Sequence, residues 1–279
     1  MAWEMMHVNI EPGDLHETPP HLTGAVPIGA LIAITRWLPN IRWFDRDHVL
    51  QISRETTEGN VLSYLDHEDI GHTQREQEAL SHFDVESHHT ISDFKERLQG
   101  QLDEVGLIYL ACHGIIVNRE SERTMLLGKL QTREQIKVYE LEAILEYLQD
   151  IPTRPVVMIN ACYSALLFQQ NGLCHGLAEV MLQNIARDFI GTIGRVGTER
   201  AAKITQSLFK PLDSQNELCI AVALRDLRAE MVRRHRAREL SREFWEDYLY
   251  TFLYVHYGNP YTKLRLHPAK QPPTGEDSE

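Results

Sequence analysis

Two residues of this chain can do nucleophilic chemistry together: His113 and Cys162, separated by 48 residues. Each directly follows an apolar run. VGLIYLAC (105–112) leads into His113–Gly114, and PVVMIN (155–160) leads into Ala161–Cys162–Tyr163–Ser164. A free thiol, with a pKa near about 8.5, is mostly protonated at neutral pH, and an imidazole beside it raises the thiolate fraction or pairs with it. Gly114 lets backbone approach a substrate carbonyl, and its N–H can join that of Cys162 as an oxyanion hole. The same residue types also occur as plain core cysteines and strand-end surface histidines. The elements that carry them must therefore decide.

Both runs are short and almost wholly apolar, which suits strands buried on both faces of a parallel sheet. If the two strands are parallel neighbours, His113 and Cys162 emerge at the same edge, where functional groups of open α/β sheets collect. The residues between them provide a crossover with an insertion. Around these strands the chain alternates. NVLSYL (60–65) and DFIGTIGRV (188–196) read as strands, and DHVLQIS (47–53) offers another. TQREQEALSHF (73–83), ISDFKERLQGQL (91–102), VYELEAILEYLQDI (138–151), a stretch around 175–187, AAKITQSLFKPL (201–212) and the run 217–240 read as helices. Ser92 is the expected cap of the second. YLYTFLYVHYG (248–258) reads as a closing, aromatic, β-prone run, and the tail beyond about residue 262, with three prolines, is expected to be mobile. This alternation predicts an α/β fold, a mostly parallel sheet with helices on both faces.

Composition narrows the function. The 279 residues carry 28 Lys and Arg against 40 Asp and Glu, a formal charge of −12, which argues against direct nucleic-acid or anionic-membrane binding through bulk charge. The longest apolar stretch, residues 25–34, is too short to span a bilayer, and the residues before it are acidic and Pro/His-rich rather than basic. Four cysteines, at 112, 162, 174 and 219, are too scattered for a disulfide scaffold and read as reduced thiols in a cytoplasmic protein. The cysteines and histidines show no paired C-x-x-C or H-x-x-x-H spacing, so neither a metal nor another cofactor is expected. Cys112 should face away from His113 along its strand.

LIYLACHG followed about 50 residues later by VVMINACYSA resembles the His and Cys boxes of caspase-like cysteine peptidases. The order of EALSHF, MLLGKL with the helix after it, DFIGTIGRV, AAKITQSLFKPL and FWEDYLYTFLYVHYGNP is similar to the bacterial CHAT family, over about residues 59–260. The resemblance implies a caspase-like fold over 59–262, preceded by an extension (1–58) and followed by a mobile tail (263–279). It implies His113 as the group handling protons, Cys162 as nucleophile and Gly114 with Cys162 as oxyanion hole. Asn160, Ala161, Tyr163 and Ser164 become substrate-binding candidates. Asn160 stands where some caspase-like peptidases carry the acid of a basic-P1 pocket, so a basic P1 would need another acidic residue. The setting implied is a bacterial proteolytic signalling or anti-phage defence cascade acting on a protein or peptide substrate.

No inhibitory domain is legible, so a zymogen activated by cleavage or by a separately encoded protease or sensor is expected. Arg119, Arg123 and Arg133, in the polar stretch 117–137, and Arg233 and Arg234, in RRHRAR (233–238), are the candidate processing sites. The segment 163–176 could switch activity by its order. Two other readings stand beside this one. In the first, the chain is a CHAT-like interaction scaffold with a vestigial dyad. In the second it is a flavodoxin-like cofactor binder, which the acidic stretch Leu65–Asp69 disfavours by repelling phosphate.

Overall fold

The computed structural model describes residues 3–10, 24–38, 54–119, 122–129, 134–146, 153–170, 173–210, 212, 217–238 and 240–270. Strands β1 (His7–Ile10) and β2 (Gly24–Pro27) form an antiparallel pair, followed by the single turn α1 (Ile28–Leu31). The central sheet starts with β3 (Thr56–Leu65), then α2 (Thr73–Leu80), the short β4 (Val85–His88) and α3 (Ile91–Leu98) lead to β5 (Val105–Ala111). The cap of α3 is Thr90, whose hydroxyl accepts from Asp93 N at 3.1 Å, rather than Ser92. Ile91, Phe94 and Leu98 form its buried stripe, each side chain contributing about 1.5–3 kcal/mol by burial.

In the polar stretch 117–137 the described residues are largely sheet. They contribute to β6 (His113–Arg119), β7 (Glu122–Gly128) and β8 (Gln135–Lys137), a three-stranded antiparallel unit. Alternation of burial explains it: Met125, Leu127 and Ile136 point into the core, while Thr124, Leu126, Gln135 and Lys137 stay partly exposed. Helix α4 (Val138–Leu145) returns the chain to β9 (Val156–Asn160). A small hairpin of β10 (Phe168–Gln170) and β11 (Leu173–His175) precedes α5 (Leu177–Asn184), β12 (Asp188–Thr192) and α6 (Thr198–Phe209).

The C-terminal third departs from the sequence reading. After β13 (Leu218–Cys219), α7 (Ile220–Arg236) is followed by a second helix, α8 (Arg242–Leu253), whose second half, residues 248–253, falls in the run expected to be β-prone. Its aromatics sit at helical spacing, with Phe244, Tyr248 and Phe252 packed on Val26, Ala30 and Val232. Only β14 (Tyr254–Tyr257) is extended. Residues 263–266, expected in the mobile tail, form β15 (Lys263–Leu266), parallel to β3. The possible strand 47–53 lies outside the described residues.

The main sheet has the order β13-β15-β3-β5-β9-β12-β14, with β4 also paired to β3. The contacts of β15, β4 and β5 with β3, of β5 with β9 and of β9 with β12 are parallel, whereas β14 and β13 run antiparallel at the ends. Alternate residues divide two cores. Leu62, Ile108 and Val157 meet α3, α4 and α5. Val61, Leu107 and Met158 meet α2, α6 and α7. At the outer edge of β14 the segment after α1 closes the ladder: Arg36 N donates to His256 O at 2.8 Å, and Gly258 N donates to Arg36 O at 3.2 Å. Thr35 Oγ1 and Trp37 Nε1 both donate to Gly258 O.

Candidate active site

Parallel pairing of β5 with β9 is in register from Leu107↔Val156 to Ala111↔Asn160. Both strands therefore end at one level, and the residues just beyond them, His113 and Cys162, line a single cleft with Asn160, Ala161, Val196 and Glu76. Cys112 is buried in the core beneath, where burial pushes its thiol well above the ordinary range. It is Cys162 that faces the cleft, half-buried.

Gly114 is demanded by this geometry. A Cβ there would run into Cys162 O and lie 2.9 Å from Met125 Cε, so the two strand ends can approach only with glycine at this place. The turn after the cysteine is sharp. Tyr163 holds φ at +62°, an uncommon conformation for a bulky side chain, with its N–H on Gly194 O at 3.0 Å. The amides of Ser164 and Ala165 are likewise engaged, by Ala161 O and Thr192 O. Among the described residues the Cys162 amide has no such partner, as an oxyanion donor requires.

Cys162 Sγ is held by one residue of the segment between β12 and α6. Val196 N donates to Sγ at 3.4 Å, and Sγ donates to Val196 O at 3.6 Å. Among the described contacts His113 and Cys162 share no hydrogen bond. In structures without substrate such contacts are often long and tighten on binding.

Beneath the cleft lies a buried polar network. Asn160, 5% exposed, donates from Nδ2 to Glu76 Oε1, to Tyr109 Oη at 3.2 Å and to Thr205 Oγ1 at 3.2 Å, while Tyr254 Oη donates to Asn160 Oδ1 at 2.5 Å. Tyr109 Oη donates to Glu76 Oε1 at 2.7 Å. The buried Arg228 of α7 steadies Tyr254, donating from Nη2 to its carbonyl at 2.7 Å. Burial raises the Glu76 carboxyl from 4.5 to about 7, against the lowering effect of the Tyr109 and Asn160 hydrogen bonds. Glu76 was not singled out in the sequence. The available signal was a charged residue four before Leu80, on the stripe that α2 buries.

The remaining sequence candidates separate. Ala161 lines the cleft, and its carbonyl accepts from Thr192 Oγ1 at 2.8 Å. Ser164 does not reach the cleft: it is fully buried, donates to Ile159 O at 2.7 Å and accepts from Thr192 N at 2.9 Å, which locks the turn to β12. Arg119 and Arg123 lie at the end of the β6–β7 hairpin, opposite Glu122 and Asn118 in the strand register. Arg133 lies outside the described residues. Arg233 and Arg234 occupy the last turn of α7 rather than an open connection. Arg233 Nε donates to Glu230 at 2.6 Å and Arg234 lies 5.3 Å over the Phe244 ring, so cleavage there would require the helix end to unwind. In the acidic stretch after β3, Asp66 is buried and accepts from Asp69 N at 3.1 Å, a turn-forming contact. Among the described residues no group of His, Cys, Asp or Glu is arranged to hold a metal ion, and no helix is long and apolar enough to cross a membrane.

Comparison with known proteins places this geometry. The family model described as the CHAT domain matches residues 45–262. No curated protein matches the chain. Among solved structures, the chain is similar to one from the Saccharomyces cerevisiae separase–securin complex at 14% identity and a TM-score of 0.47, covering 77% of this chain and 13% of that one. A protease shows 12% identity and a TM-score of 0.48, covering 82% and 54%. The Arg specific cysteine proteinase gingipain R shows 10% identity and a TM-score of 0.43, covering 75% and 48%. This chain thus spans only part of each, and likeness at this level carries no functional weight.

Proposed function

The chain belongs to the CHAT-domain family, within the clan of caspase-like cysteine peptidases, and from that premise we propose that it is a cysteine endopeptidase working through His113 and Cys162. One observation carries the reading: the in-register ends of β5 and β9 deliver an imidazole and a thiol into one cleft, with Gly114 pressed on the Cys162 carbonyl. Cys162 Sγ attacks the carbonyl carbon of the scissile bond while His113 takes the thiol proton. The Cys162 amide, with that of Gly114, holds the oxyanion. His113 then returns the proton to the leaving amine, and water resolves the acyl-enzyme by the reverse sequence.

The engagement of Sγ by Val196 supports a resting state that needs a step of activation, by cleavage or by a protein partner, in keeping with a signalling or defence cascade. The nucleophile in that state is occupied by backbone rather than by its base. The test is cleavage of a peptide library followed by mass spectrometry, on the full chain and on Cys162→Ala and His113→Ala. Cleavage by the wild type that disappears in both variants is expected. Cleavage that persists in either variant overturns the dyad, and a wild-type Cys162 that reacts with iodoacetamide no faster than Cys174 or Cys219 favours the interaction scaffold.

A further inference from the structure

We propose that the outer edge of β4, with the groove between it and α2, is a docking site for an extended peptide segment of a partner protein. The segment adds a strand to the sheet and places a large apolar side chain in the groove. The site lies apart from the Cys162 cleft and does not rest on the peptidase reading.

The margins of the main sheet are finished in different ways. β14 is covered by residues 35–37. β13 is only two residues long and is flanked by Glu217, which holds Lys263 and Arg265 in ion pairs. β4 takes over from β15 along the second half of β3, from Val61↔Val85 to Tyr64↔His88, and among the described residues no strand pairs with its other side. Val61 N donates to Asp84 O at 2.8 Å, so in the parallel ladder Glu86 turns its backbone groups towards β3. Those of Val85 and Ser87 point outward, and among the described residues no backbone group meets them there. Ser87 is also exposed. Neither a lysine nor a proline stands within β4 to guard this edge.

The side chains of Val85 and Ser87 follow those of Val61 and Ser63 onto the face that α2 covers. Between helix and strand lies a groove of about 370 Å³, of a size that takes a small ligand or a large side chain. Leu65, Leu80, Phe83 and Val85 form its apolar part. Ser63 and Ser87, hydrogen-bonded to each other at 3.1 Å, form a polar part. Lys270 pairs there with Asp84 at 2.9 Å, but its side chain keeps 85% of its exposure, so the pair is weak and yields readily.

These features together select the occupant. Unbonded N–H and C=O groups along a strand edge are completed by another extended backbone, and the groove receives a side chain from alternate positions of that strand. A second copy of this chain is disfavoured, because each carries a net charge of −12 and copies repel. The same charge favours a segment with lysine or arginine beside its apolar residue.

The test pans a random dodecapeptide library displayed on phage against the full-length protein. Enriched peptides are then synthesised and their binding is measured by fluorescence anisotropy. They should share a large apolar residue with basic neighbours. Ser87→Pro removes the outward N–H and leaves the bonds between Glu86 and β3, and it should weaken binding about tenfold or more. Ser87→Ala keeps that N–H and should bind as the wild type does. Residue-resolved hydrogen exchange reads the edge with no substitution at all, and decides alone if Ser87→Pro does not fold. In the free wild type the Val85 and Ser87 amides should exchange much faster than that of Glu86, and bound peptide should slow them about tenfold or more.

The docking site is overturned if no peptide is enriched, if every enriched peptide binds Ser87→Pro as tightly as the wild type, or if both amides stay fast with peptide bound. Protection of both amides in the free monomer also overturns it, since the edge would then be covered already. A wild type that sediments as a dimer, and as a monomer in Ser87→Pro, would seat a second copy on this edge and overturn the assignment to a partner.

Discussion

Glu4 and Glu76 are both buried carboxylates, held in opposite ways. Glu4, in the short turn Trp3–Met5 of the N-terminal segment, is fully buried, and Arg36 meets it with Nη2 at 2.8 Å and Nε at 3.2 Å, a fork-to-carboxylate pair supplied by the chain itself. Glu76, nearly as buried, meets only neutral donors. Where the chain supplies the cation, the carboxylate ties the N-terminal segment to the edge of β14. Where it does not, the carboxyl is held by neutral donors alone, and burial raises its pKa to about 7, at a cost to the folded state once it is charged. Burial alone does not set how a carboxyl is held; the identity of the partner does.

The largest test of that contrast breaks the paired site. Arg36→Ala should lower unfolding stability by about 3 kcal/mol, at the lower end for a buried pair because the guanidinium side chain keeps a fifth of its exposure. Urea denaturation measures it, and a loss well under 1 kcal/mol would dissolve the contrast. The unpaired site should respond with the opposite sign. The folded-state pKa of Glu76 is raised from 4.5 to about 7, so between those values the folded protein keeps a proton that the unfolded chain releases. The stability this contributes is complete below about pH 4.5 and is lost as pH rises through about 7. Glu76→Gln should therefore match the wild type near pH 4.5 and exceed it at pH 8 by about 2 kcal/mol, the order expected from a shift of that size. A variant less stable than wild type at pH 8 would make Glu76 a structural residue like Glu4.

The smallest effect sharpens the border between scaffold and cleft. Ser164→Ala leaves the buried Thr192 N–H without its acceptor and should cost about 1–2 kcal/mol in the same denaturation experiment. Iodoacetamide labelling of Cys162 should stay as in the wild type, since Ser164 does not reach the cleft.

Much of this arrangement was legible in the sequence because the two central strands are apolar on both faces, which leaves little else for them to be. VGLIYLA and VVMIN announce themselves, and the residues that follow them are where an open sheet places its chemistry. The errors arose where one pattern served two structures. YLYTFL is β-prone by composition, yet Phe244, Tyr248 and Phe252 at spacings of four give α8 its buried face, and tertiary packing prevails over propensity. The hairpin after His113 was hidden by its charged, loop-like composition, and β15 by its place beside a proline-rich tail. Glu76 was out of reach for a different reason. Its neighbours Tyr109, Asn160, Thr205 and Tyr254 come from four separate elements, and only the closed fold shows that none of them is a cation.

The contacts of residues 35–37 along β14 also bear on how the molecule behaves in company. An uncovered strand edge is a row of unsatisfied amides and carbonyls that another chain can extend into a continuous sheet. Here Arg36 takes a place in the ladder on that side while its side chain is anchored to Glu4, so the stopper is itself bolted down. Lateral growth of the sheet beyond β14 is thereby blocked by the chain's own N-terminal segment, and crowding many copies together finds no open template along that margin.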